Sequence, residues 1–246
     1  MSALKHVCGG GDQTSSPSKE DSDDQTMLRA RHTDLPVGSG SPVGLSAHGM
    51  AQSPPAAGQP PLMDREREIA LALSSCPPSL ASRAAVYVLG ELGYVKVRDG
   101  ENDFTAIVQH SLPATQEPQC MDAEGARTLL PRILKVAELR ARGTPPEEIK
   151  RFVADAFAKG VFRPPSRLGV DYMLSTENVV PLDPEKGTVG HFPPHVMFYA
   201  PYLTNAELGS QNLTWPAFVA GSGTPNALII VPVLDEASAG SGHEHR

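Results

Sequence analysis

The segment from His191 to Tyr202 (HFPPHVMFYAPY) concentrates more reactive side chains than any other part of the chain. Two imidazoles four residues apart suggest a divalent transition-metal site built on His191 and His195. Pro193 and Pro194 forbid a helix between them. An extended path of ~3.1 Å per residue would hold their Cα atoms roughly 12 Å apart, so one ion needs a tight turn there. The competing reading is strand entry, with His195, Met197 and Tyr199 on one face and Val196 and Phe198 on the other. Tyr199, Tyr202 and Trp215 could also line a pocket with His195 for a small apolar or sugar-like molecule.

A second cluster is Glu117 to Asp122 (EPQCMD). Placed just before a helix, Cys120 would feel the helix dipole and favour thiolate, with His110 as its base. That is the logic of a hydrolase nucleophile. Asp122 is the natural cap of that helix, and its charge opposes ionisation. A buried structural thiol is the simpler reading. A metal-activated water at His195 is a further hydrolytic option. Other mechanism-bearing patterns are missing: no phosphate-binding G-x-x-x-x-G-K-[ST], no G-x-G-x-x-G, no G-x-S-x-G and no H-E-x-x-H. His243 and His245 near the C-terminus could take up metal adventitiously.

The elements that would carry these residues occupy the later three quarters of the chain. Residues 1–61 contain no aromatic residue and are dense in Ser, Gly and Pro, the composition of a disordered segment. A degenerate signal peptide within 27–51 is an alternative for part of it: Met27 to Arg31 is basic, and Gly49-Met50-Ala51 resembles a cleavage site. Residues 62–235 read as one α+β domain and residues 236–246 as a second disordered tail. Asp64 caps a predicted helix to about Ser75, and strands follow at Ala84–Leu89, Tyr94–Arg98 and Phe104–His110. Apolar spacing then predicts a helix from Asp122, kinked or split at Pro131, and a second from a capping box at Thr144-Pro145-Pro146-Glu147 to Gly160. Further strands are expected at Val170–Ser175, Asn178–Leu182, His195–Ala200, Ala217–Ala220 and Ala227–Val233, with a capped helical turn at Thr204–Glu207. Strands, two helices, then strands imply a mainly antiparallel sheet with an inserted αα-hairpin packed on one face.

Composition narrows the partners. Net charge is −7 and no basic cluster stands out, which argues against nucleic acid. No apolar run approaches the roughly 20 residues of a membrane helix. Cys8, Cys76 and Cys120 form no C-x-x-C pair. Two separate thiols are the preferred reading, with a Cys76–Cys120 bridge as the option in an oxidising compartment. Asn212-Leu213-Thr214 is a glycosylation sequon in a eukaryotic secretory setting.

Four stretches carry a resemblance: EPQCMDAEGARTLLP from Glu117, GVDYMLSTENVV from Gly169, HVMFYAPYLTNAELG from His195 and PNALIIVPV from Pro225. They resemble a group of uncharacterised bacterial proteins that are often exported. The resemblance implies a periplasmic or secreted location and transfers no catalytic residue. Function is left between a small-molecule- or metal-binding domain, a hydrolase, and a non-catalytic structural or interaction module. Oligomeric state is not readable.

Overall fold

The computed structural model describes residues 58–183, 186–210 and 216–233. The leader-like stretch 27–51, the Asn212 sequon, Trp215, and the tail with His243 and His245 lie outside the described residues.

Asp64 caps α1 (Arg65–Ser74) by accepting from the Arg67 N–H. A short α2 (Pro78–Ala81) follows. β1 (Ala85–Gly90) and β2 (Gly93–Arg98), both expected as strands, pair as a hairpin. The chain then crosses the start of β1 to enter β3 (Thr105–Gln109) parallel to it. Gly100 permits that crossing, since a β-carbon there would lie 2.8 Å from the Ala85 nitrogen. β4 (Glu117–Met121) runs back beside β3. Cys120 therefore sits within a buried strand that ends directly before the Asp122 cap.

Asp122 caps α3 (Ala123–Thr128) through Gly125 N–H, and α4 (Leu130–Ala141) follows with Pro131 in its first turn, the split that Pro131 predicted. α5 (Pro146–Ala158) has Pro145 at its cap position and no side-chain cap. The capping box expected at Thr144 does not form, because the helix starts one residue later, on the second proline. β5 (Val170–Met173), β6 (Val179–Asp183), β7 (Thr188–His191), β8 (His195–Tyr199), α6 (Asn205–Leu208), β9 (Phe218–Ala220) and β10 (Leu228–Pro232) complete the chain. At α6 the capping box is present, with Thr204 and Glu207 bonded reciprocally.

The fold is α+β. One eight-stranded sheet has the order β2-β1-β3-β4-β5-β8-β10-β9, antiparallel except for β1–β3, and β6–β7 form a separate hairpin. Alternation assigns the two faces. Val86, Val88, Ala106, Val108 and Cys120 point to α1 and pack on Leu71 and Ala72. Ile107 and Met121 point the other way, to Leu130 and Ile133 of α4. The second face continues through Met173, Met197, Phe218 and Ile230. A Cys76–Cys120 disulfide ties the end of α1 to β4, with Cα atoms 5.1 Å apart. This corrects the preference for two separate thiols. Among the described residues, no helix is long and apolar enough to cross a membrane.

Glu68 of α1 is buried against β1, and its carboxylate accepts the Leu89 N–H at 2.7 Å. Burial raises its pKa to about 7, against which the Leu89 bond acts only in part. A raised carboxyl pKa stabilises fully below the unfolded value, and that contribution is lost as pH rises toward 7. Glu68→Gln keeps the acceptor and removes the ionisation. Its melting temperature is expected to climb relative to the parent between pH 5 and pH 8. A difference that stays flat over that range would show that Glu68 ionises normally in the fold.

Candidate functional site

The second face of the sheet is not completely filled. A cavity of about 460 Å³ lies over β3, β4, β5, β8, β10 and β9. Leu129, Arg132 and Ile133, where α4 begins, roof one side, and Val180, Pro181 and Leu182 of the β6–β7 hairpin roof the other. The hairpin is held in place at its base. Gln116 and Val179 exchange backbone hydrogen bonds of 2.8 and 2.9 Å, and the buried Asn178 amide donates to Met173 O and Ser175 O.

Most of the wall is apolar: Met173, Met197, Phe218, Leu228 and Ile230, with Phe192 above them. One end is polar and contains Gln109, Ser111, Glu117, Gln119, Arg132 and His195. Glu117 accepts hydrogen bonds from the N–H and the hydroxyl of Ser111. Burial raises its pKa, while the Ser111 bonds and the attraction of Arg132 pull the other way. Arg140 donates to the carbonyls of His110 and Ser111, so its guanidinium is committed to the backbone. Arg132 differs. Its Nε is buried without a hydrogen-bond partner, and it has no carboxylate within ion-pair distance among the described residues. Desolvation and the nearby Arg140 lower its pKa, against the attraction of Glu117. Its other flank borders a second cavity of about 90 Å³, beside Tyr94, His110 and Arg140.

His195 is 1% exposed and lines the larger cavity. Its Nδ1 lies 2.8 Å from Pro193 O. A carbonyl only accepts, so Nδ1 carries the proton and the neutral ring keeps a lone pair on Nε2. Burial lowers its pKa, which favours that neutral form. Met197 and Tyr199 share the face of His195, as alternation predicted. Tyr199 does not reach the cavity lining; it is buried beneath α3, and its hydroxyl donates to Val170 O at 2.9 Å. Gly125 makes that possible, because a β-carbon there would overlap the Tyr199 hydroxyl. Tyr202 is 58% exposed in a turn with φ of 67°, away from the cavity.

The His191–His195 chelate does not assemble. His191 is exposed on β7 with Nε2 2.8 Å from Thr176 O, while His195 belongs to the main sheet. Among the described residues, no three His, Cys, Asp or Glu side chains come together as a metal site would require. The Cys120–His110 pair does not assemble either. Cys120 is 0% exposed, bonded to Cys76 and opposite Ala106 of β3. His110 lies four residues beyond Ala106, roughly 13 Å along the strand. Its Nδ1 faces Thr115 O.

The sequence reading passed over Arg132, and it singled out the Glu117–Asp122 cluster for Cys120 without giving Glu117 or Gln119 a role. A signal for Arg132 was present: with Leu129 and Ile133 it follows the i, i+3, i+4 spacing of the buried face, where a guanidinium is out of place. Comparison with protein families, curated proteins and solved structures finds no match for this chain.

Proposed function

We propose that this domain binds a small molecule with an apolar body in the cavity between the sheet, α4 and the β6–β7 hairpin. The observation that carries the reading is the cavity itself. At about 460 Å³ it has the size of small-molecule sites, ~300–1,000 Å³, and the expected mix of apolar wall and few convergent polar groups. We read α4 and α5 as a helical hairpin inserted between β4 and β5, whose first helix supplies the roof. His195 of the notable sequence segment contributes to the lining; Gln119 and Arg132 contribute the polar end. The Cys76–Cys120 bridge favours an oxidising compartment, in keeping with the resemblance to exported bacterial proteins.

The full chain titrated with the neutral fluorophore N-phenyl-1-naphthylamine tests this. Saturable binding of one molecule per chain is expected. Ala220 of β9 faces the cavity. Ala220→Trp fills part of it and is expected to weaken the probe at least roughly tenfold at an unchanged melting temperature. Absence of saturable binding, or binding indifferent to Ala220→Trp, would reject the reading.

A further inference from the structure

The polar end of the cavity holds the guanidinium of Arg132 and the carboxylate of Glu117, and Arg140 lines the smaller cavity beside it. Arg140 is occupied by two backbone carbonyls. The two imidazoles of this region, His110 and His195, each face a carbonyl through Nδ1, and burial lowers both pKa values. The Tyr94 hydroxyl donates to Val108 O and stays protonated because burial raises its pKa. Arg132 is therefore the guanidinium here with donor capacity to spare, since its Nε is buried without a partner. The Gln119 side-chain amide, buried in the same lining, has no hydrogen-bond partner among the described residues.

The geometry points to Arg132 as the anchor for the anionic head of the ligand, with Gln119 as a second donor. The ligand class is then an organic monoanion, a carboxylate on an apolar chain or ring. A guanidinium presents two parallel N–H donors that match the two oxygens of a carboxylate. The head would sit between β4 and α4, and the body would lie along Met173, Met197 and Ile230 toward Phe218. Arg132 is half-buried, but its Nε is fully buried without a partner, and a bound carboxylate would satisfy that donor. This inference rests on the cavity reading above.

Decanoate and decanol share one apolar chain and differ in the charged head. Calorimetric titration of the full chain with each separates the two claims. Decanoate is expected to bind roughly 10- to 100-fold more tightly than decanol, the usual worth of a charge-assisted pair. Arg132→Gln is expected to erase that preference and leave decanol unchanged. Arg132→Lys, which keeps the charge but not the fork, is expected to retain part of it. Equal binding of the two, or a preference for decanol, would overturn the anion anchor and leave the cavity reading standing. So would a decanoate preference that survives Arg132→Gln. Binding of neither molecule would overturn both. Should Arg132→Gln melt far below the parent, Arg132→Lys decides: undiminished preference for decanoate would then overturn the bidentate role.

Discussion

Reducing the Cys76–Cys120 bridge, or replacing both cysteines by alanine, is expected to destabilise the domain by about 2–4 kcal/mol. The two residues are 44 apart in sequence. Loop closure on that scale removes enough freedom from the unfolded chain to give about 4 kcal/mol in the entropic account, with native strain subtracting from it. The location adds to the effect. Cys76 follows α1, whose Leu71 and Ala72 cover β1 and β3, and Cys120 lies near the middle of the sheet. The bridge therefore fixes the only helix on that face that contacts β1, β3 and β4 among the described residues. For a domain of this size the loss corresponds to a fall in melting temperature of roughly 5–15 °C. Denaturant unfolding with and without reductant measures it. Thiol counting supplies the control: the chain has three cysteines, so the unfolded, unreduced protein is expected to label once, at Cys8, and the reduced protein three times. Three labels without reductant would show that the bridge is absent.

That bridge also shows where sequence reading reaches its limit. The strands with plain alternation or β-branched runs, β1 to β3, β8 and β10, are legible because their pattern reflects one-sided burial. β4 is not. Its residues EPQCM are buried on both sides, yet they include Glu, Pro and Gln, and a helix cap follows at once. The strand is stabilised by its neighbours β3 and β5, which is tertiary information. Missing β4 left the Cys76–Cys120 bridge as the less favoured option and hid the polar end of the cavity, since Glu117 and Gln119 lie on the same strand. β7 escaped notice for a different reason: TVGH is four residues long and half exposed, and it pairs only with β6. The shared face of His195 and Met197 was readable from the period of two alone. What that face looks onto was not, because the roof comes from α4 and from a hairpin distant in sequence.

Asp171→Asn is expected to stabilise the domain at pH 7 by about 1–3 kcal/mol, because it removes the proton uptake that a raised carboxyl pKa imposes, ~1.4 kcal/mol per pKa unit. Asp171 lies in β5 with Met121 and Met197 beside it on the flanking strands. It is 0% exposed, and neither carboxyl oxygen has a hydrogen-bond partner among the described residues. The Tyr199 hydroxyl, close enough to feel the Asp171 charge, donates to Val170 O instead. Burial pushes the Asp171 pKa well up, the Asp122 carboxylate adds to this, and the Cys120 backbone offsets only part of it. The folded state therefore holds the acid protonated at pH values where the unfolded chain, near 3.9, has lost the proton. Folding takes up that proton. Stability from this residue is complete below the unfolded pKa and declines as pH rises above it. Asparagine has nearly the same shape and needs no proton, so its advantage is expected to grow from pH 4 to pH 8. It does not recover the whole cost, because its amide is also buried without a partner. Chemical unfolding of parent and variant at several pH values reads the effect directly. A variant less stable than the parent by a constant amount from pH 5 to 8 would mean that Asp171 is ionised and satisfied in the fold.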